Sequence, residues 1–119
     1  MNPKDLLQRW VEVFNTADAH AMAEFYHNDA VVHQVANEPV ISKAAILQMF
    51  IDEFELTNMV CIPENFFEDG EWAMLEWKDP MGLRGSGFFH IVDGKIKHQR
   101  GYWDKLSFLR AHKLPIPSE

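Results

Sequence analysis

Apolar residues recur every three to four positions at the start of the chain, where Leu6, Leu7, Trp10, Val11 and Phe14 fall on one side of a helix. Asn2-Pro3 opens that helix, because proline at the first helical position sacrifices no intrahelical hydrogen bond. Asn15-Thr16-Ala17-Asp18 breaks the pattern. Asp18 can cap a short second helix, with Met22, Phe25 and Tyr26 directed inward. Alternation over Ala30 to Val35 predicts a strand, Asn37-Glu38-Pro39 a turn, and Ser42 the cap of a third helix with the stripe Ile46, Leu47, Phe50, Ile51, Phe54.

From residue 58 the period changes. Four β-rich segments, roughly 58–67, 71–79, 83–92 and 95–104, are separated by Asp69-Gly70, Asp79-Pro80-Met81-Gly82 and Asp93-Gly94, all strong turn formers. Helices first and a strand meander afterwards is the α+β pattern: three N-terminal helices on one face of an antiparallel sheet. Leu106 to His112 suggests a last helical turn, and 113–119, with Pro115 and Pro117, a short tail.

Composition narrows the function classes. A chain of 119 residues, 47% of them hydrophobic, suits one domain spanning 1–119. No basic leader or long apolar run is visible, so a cytoplasmic protein without a membrane partner is expected. The single cysteine, Cys61, leaves no internal disulfide and reads as a buried thiol in the run Met59-Val60-Cys61-Ile62. The net charge of −7 argues against nucleic acid as a partner. That charge is uneven: residues 1–77 carry three basic against fourteen acidic side chains, and residues 78–119 eight against four. The C-terminal hairpin is thus mildly basic, which fits solvated strand faces.

Several strings carry a family resemblance: residues 8–18 (QRWVEVFNTAD), residues 25–32 (FYHNDAVV), Asp93-Gly94-Lys95-Ile96 and Gly101-Tyr102-Trp103-Asp104. In their order and spacing they resemble the nuclear-transport-factor-2-like superfamily, in its SnoaL-like and ketosteroid-isomerase-like branches. The resemblance implies a cone, a strongly curved sheet closed by helices around one internal pocket. It also implies either isomerase, cyclase or lyase chemistry without a cofactor, or a binding module of the same fold. Ketosteroid isomerisation needs a carboxylate base and two acidic hydrogen-bond donors. At the matching positions this chain has Gln34, Trp10, and Gly87 or Phe88, so all three roles are missing and that activity is not expected.

The polyketide-cyclase pattern of SnoaL-like proteins implies instead an aspartate after the last strand and a histidine on its neighbour, here Asp104 and His90. Paired, they would serve proton transfer on a small apolar carbonyl compound. A two-residue turn at Asp93-Gly94 pairs Val92 with Lys95, His90 with Lys97, Phe88 with Gln99 and Arg84 with Trp103. In that register Asp104 lies on the face opposite His90 unless a bulge near Gly101 resets the alternation. The other reading of Asp104 is a strand-end carboxylate that ties down the tail through backbone N–H groups.

The expected lining of the pocket is Trp10, Phe14, Gln34, Phe54, Trp77, Phe88, Gln99 and Trp103, a mostly aromatic wall with a few polar groups. It suits a small apolar or amphipathic molecule. His33, His90 and His98 lack helical ligand spacing, and the register puts His90 and His98 on opposite faces, so no metal site is expected. Glu76 alternates outward. A convex sheet face bearing residues such as Phe66 or Phe89 would suit a homodimer.

Overall fold

The structure, a computed structural model, describes residues 2–117. Its elements run α1 (Pro3–Phe14), α2 (Ala19–Ala23), β1 (Tyr26–Gln34), β2 (Val40–Ile41), α3 (Lys43–Leu56), β3 (Ile62–Asp69), β4 (Trp72–Lys78), β5 (Arg84–Val92), β6 (Lys95–Trp103) and α4 (Lys105–Ala111). The first three helices begin as their sequences dictate. The side chains of Asn2, Asp18 and Ser42 accept from the backbone N–H groups of Asp5, Ala21 and Ala45, each satisfying one of the donors a helix start leaves free.

The strands form one six-stranded curved sheet in the order β2-β1-β6-β5-β4-β3. Three of its joints are antiparallel hairpin pairings from β3 to β6, and β1 pairs antiparallel with the short β2. The sheet is not wholly antiparallel, however, because β1 runs parallel to β6, pairing Val32 with Gln99 and Gln34 with Gly101. Neighbouring parallel strands need a long crossover, and here the chain supplies one through β2, α3 and the β3–β5 meander.

Helices cover one face only. Leu6, Leu7, Trp10 and Val11 from α1, Met22 from α2 and Ile46 and Phe50 from α3 meet Val32, Ala73, Leu75, Phe89, Ile91 and Ile96 from the sheet, and all are buried. This corrects the expected outer face: Phe89 is core and Phe66 packs against it, whereas Phe67 is exposed and Trp72, Phe88 and Tyr102 lie on the uncovered side.

The last hairpin departs from the simple register. Asp93 and Gly94 both take positive φ, 51° and 76°, as a two-residue turn requires. The pairing then shifts between His90 and Ile91, so that His90 faces His98, Phe89 faces Gln99 and Gly85 faces Trp103. One extra residue in β6 near Lys97 produces that shift and swaps which strand neighbours share a face. No bulge falls at Gly101, the position that would have reset the alternation for Asp104; it keeps regular pairing with Gly87.

Candidate functional site

The helix-covered side of the sheet encloses a cavity of about 110 Å³ with one side open. Its walls combine Trp10 and Phe14 from α1, Phe50 and Glu53 from α3, Met59, Val60 and Cys61 before β3, Leu75 and Trp77 from β4, Phe89 from β5, and Gln99 and Trp103 from β6. Phe108 of α4 and His112, the residue that ends it, close one edge. Aromatic contacts brace this wall: Trp10 stacks on Phe14 at 5.3 Å and meets Phe89 edge-on at 5.1 Å, and Trp103 lies 5.2 Å from Phe108.

Six of the expected lining residues border the cavity: Trp10, Phe14, Gln34, Trp77, Gln99 and Trp103. Two do not. Phe54 packs behind the wall, against Phe14 and Phe50. Phe88 lies on the outer face beneath Arg100 and against Tyr102, because the shifted register turns Phe89 inward in its place.

The expected catalytic pair comes apart. Asp104 is the exposed N-cap of α4, with its carboxylate bonded to the backbone N–H and hydroxyl of Ser107. Those bonds from Ser107 hold its carboxyl below the usual carboxylate range, which weakens it as a base. It ties down the C-terminal segment and is not a wall residue. His90 is on the uncovered face, stacked on Trp72 at 4.8 Å and bonded to Glu71 at 3.1 Å. His98 is its cross-strand partner on that same face, not the opposite one. Arg84, which the simple register pairs with Trp103, is an exposed strand charge paired with Glu64 at 3.0 Å.

Other titratable groups take the places these leave. Glu53 lines the cavity among Phe50, Met59 and Val60, and no cation pairs with it among the described residues. Desolvation, reinforced by the charge of Asp52, pushes its carboxyl up to about 7. Asp79 and His112, each with a side chain 8% exposed, meet at 3.3 Å on the cavity edge. The Asp79 carboxylate also accepts from the backbone N–H groups of Met81 and Leu83, both at 2.9 Å, and the other imidazole nitrogen of His112 bonds the Thr57 hydroxyl at 2.9 Å. Both imidazole nitrogens and three acceptor positions of the carboxylate are therefore engaged, and the pair works as a clasp holding the end of α4 to the β4–β5 turn and the end of α3. Burial pushes the Cys61 thiol up to about 12, which makes it inert as a nucleophile.

Two polar links run along the cavity wall, one of them through Tyr26 buried behind it. The Trp10 indole donates to the Tyr26 hydroxyl at 3.1 Å, and that hydroxyl donates to Gln99 Oε1. Trp103 Nε1 donates to Gln34 Oε1 at 2.8 Å. Gly101 makes room for this second pair, since a Cβ there would collide with the Gln34 carboxamide. Gly101→Ala is therefore expected to displace Gln34 and destabilise the fold by about 1–2 kcal/mol, read as a lower thermal midpoint. An unchanged midpoint would mean that Gln34 swings aside freely.

A family model described as "SnoaL-like domain" matches residues 7–99. No curated protein sequence matches the chain. Among solved structures, a putative polyketide cyclase from Sinorhizobium meliloti is similar with 21% identity and a TM-score of 0.76, over 82% of this chain and 94% of that one. An epoxide hydrolase/cyclase-like enzyme, SalBIII, described in pyran ring formation of the polyether salinomycin, aligns at 17% identity and TM-score 0.78, over 87% and 92% of the two chains. A hypothetical protein from Catenulispora acidiphila with a ketosteroid isomerase-like fold, in complex with trimethylamine, aligns at 12% identity and TM-score 0.83, over 97% and 96%. At these identities the likeness establishes the cone-shaped fold and carries no activity across.

Proposed function

Because the chain belongs to the SnoaL-like domain family, we propose that its cavity takes a small apolar carbonyl compound, about one ring in size, and moves a proton on it with Glu53 as the acid–base group. One observation carries this reading: a carboxyl without a counter-charge among the described residues lines a mostly apolar cavity, where burial pushes it up to about 7. A group poised there is about half ionised near neutrality, so it can take a proton and return it.

The step follows from that placement. The Glu53 carboxylate removes a proton from the carbon next to the carbonyl, the C–H electron pair becomes the enolate, and the carboxylic acid then returns a proton to the same or a conjugated carbon. Return to the same carbon is exchange; return elsewhere is isomerisation. Apolar walls of Trp10, Phe89 and Trp103 offer no hydrogen bonds and leave the enolate oxygen to the cavity's few polar groups.

The reading is tested with acetophenone, cyclohex-2-enone and 1-indanone in D2O, following loss of the α-proton signals by NMR. Protein-dependent exchange that disappears in Glu53→Gln supports it. Binding without exchange for all three ketones would favour the second reading, a non-catalytic binding module, which is the reading suggested by Trp10, Gln34 and Gly87 at the ketosteroid-isomerase positions.

The uncovered sheet face supports a homodimer as part of the same reading. There Arg100 lies 4.9 Å over Trp72, Phe88 meets Tyr102, and Phe67 is 51% exposed, an aromatic patch of the sort that marks contact surfaces. Sedimentation at micromolar concentration is expected to give twice the monomer mass of 13.8 kDa, and Phe67→Glu with Tyr102→Glu to return monomer. A wild-type monomer at that concentration would contradict it.

A further inference from the structure

The two glutamines in the cavity are each held by a group that leaves them no choice of orientation. Tryptophan's indole nitrogen can only donate, so the Trp103 contact at 2.8 Å fixes the Gln34 carbonyl oxygen toward the indole. The opposite flip would set two donors against each other. At Gln99 the same logic acts through one relay. The Trp10 N–H occupies a lone pair of the Tyr26 oxygen, so the Tyr26 proton points onward and Gln99 must meet it with its oxygen. Tyr26 is 1% exposed, and burial keeps its hydroxyl protonated far beyond the usual phenol range.

Both carboxamide NH2 groups are then left over. Neither Gln34 Nε2 nor Gln99 Nε2 has a hydrogen-bond partner among the described residues; because no buried side-chain polar atom there lacks a partner, both donors are accessible, and both glutamines line the cavity. Their strands fix the spacing. Gln99 is opposite Val32 and Gln34 opposite Gly101 on the parallel β1–β6 pair, so the two donors stand on one face two residues apart, about 7 Å along the strands.

We infer that Gln34 and Gln99 are the specificity-determining residues of the cavity: their indole-locked carboxamides offer only N–H donors, so the site selects occupants with an acceptor oxygen, a ketone or enolate, over apolar isosteres. This rests on the reading of the cavity as a carbonyl site and adds how the carbonyl is recognised. It does not depend on whether a proton is moved. An acceptor that meets the donors replaces the solvent these cavity-facing groups would otherwise bond, whereas a hydrocarbon displaces that solvent and leaves them unpaired. Trp10 and Trp103, beyond filling the wall, become positioning residues that hold the donors in their orientation.

The test compares acetophenone labelled with 13C at the carbonyl with α-methylstyrene, which has CH2 in place of the oxygen. The wild-type protein is expected to bind acetophenone about 10-fold or more tightly than α-methylstyrene and to move the carbonyl 13C signal downfield, the mark of a hydrogen-bonded carbonyl. Gln34→Glu and Gln99→Glu keep an acceptor for the indole or hydroxyl and lose the N–H donors. Each should weaken acetophenone binding about 10-fold and leave α-methylstyrene as it was. Trp103→Phe frees Gln34 to flip, and should narrow the preference with the cavity intact; it serves if a glutamate variant does not fold, as checked by circular dichroism.

Equal affinity of the wild type for the two compounds, or an unshifted carbonyl signal in the bound ketone, would overturn the inference. So would failure of both compounds to bind at millimolar concentration. A shifted carbonyl without α-proton exchange removes the catalytic reading and leaves this one standing. Exchange without any preference does the reverse.

Discussion

Glu53→Gln is expected to lower protein-dependent α-proton exchange by about 100- to 10,000-fold, the range general acid–base groups contribute. The same change is expected to make the protein more stable above neutrality. The sign follows from proton linkage. The folded carboxyl titrates at about 7 and an unfolded glutamate near 4.3, so the folded state holds the proton more tightly. Stability contributed by this group is greatest below the unfolded value and falls as pH rises through the window between the two, levelling off above about 7. Because Glu53 is only partly buried, the loss at alkaline pH is about 2 kcal/mol. Glutamine has the same shape and no charge, so it removes the pH slope. Denaturant melts at pH 4.5 and pH 8 read this directly: equal stability at the lower pH and a more stable variant at the higher. A wild type as stable at pH 8 as at pH 4.5 would show that the carboxylate is solvated. Activity and stability thus move in opposite directions at one residue, as expected where a cavity keeps a poorly solvated group for chemistry.

Asp79→Ala is expected to destabilise the fold by about 2–4 kcal/mol. The carboxylate holds three donors: the N–H groups of Met81 and Leu83, which shape the β4–β5 turn, and the His112 imidazole, which fixes α4. Alanine orphans two backbone donors and releases the helix whose Phe108 and His112 close the cavity edge. Asp79→Asn keeps an acceptor oxygen for the turn and should lose only about 1 kcal/mol. Urea melts distinguish the two, and the indole Nε1–H NMR signal of Trp103 reports α4 separately, since Phe108 rests on that indole. If alanine and asparagine cost the same, the turn bonds carry no weight and only the contact to His112 matters.

Much of this architecture was legible in local chemistry. Pro3, Asp18 and Ser42 announce helix starts whose caps are present, and Asp93-Gly94 announces a two-residue turn whose φ values are both positive. The aromatic wall was also legible, because Trp10, Phe14, Trp77 and Trp103 obey their element periods and line the cavity. The parallel β1–β6 joint was not, since it links segments about seventy residues apart and nothing local encodes it. Nor was the bulge near Lys97, where no glycine or proline marks the extra residue. That single residue decides which side His90 faces, and with it the fate of the expected catalytic pair.

The polar site residues were hidden for different reasons. Glu53 sits in a charged run, Asp52-Glu53-Phe54-Glu55, that reads as a solvated helix edge. A signal was nonetheless present, because Ile46, Phe50 and Glu53 follow a four-then-three spacing that puts the carboxyl on the buried stripe. Asp79 reads as a turn former before Pro80, which it is, and its further bond to His112 joins positions thirty-three residues apart. Asp104 shows the reverse case. Its place after the last strand matched a cyclase-like pattern, yet Ser107 three residues on marks a helix cap.

The proton-transfer reading rests on the protonation of one carboxyl in a mostly apolar wall. Following the Glu53 side-chain carboxyl 13C signal from pH 3 to pH 9 measures that protonation without a ligand or a substrate. A midpoint at about 7, well above every exposed glutamate in the same spectrum, is the predicted result; a midpoint in the ordinary range near 4.3 would contradict the proton-transfer site.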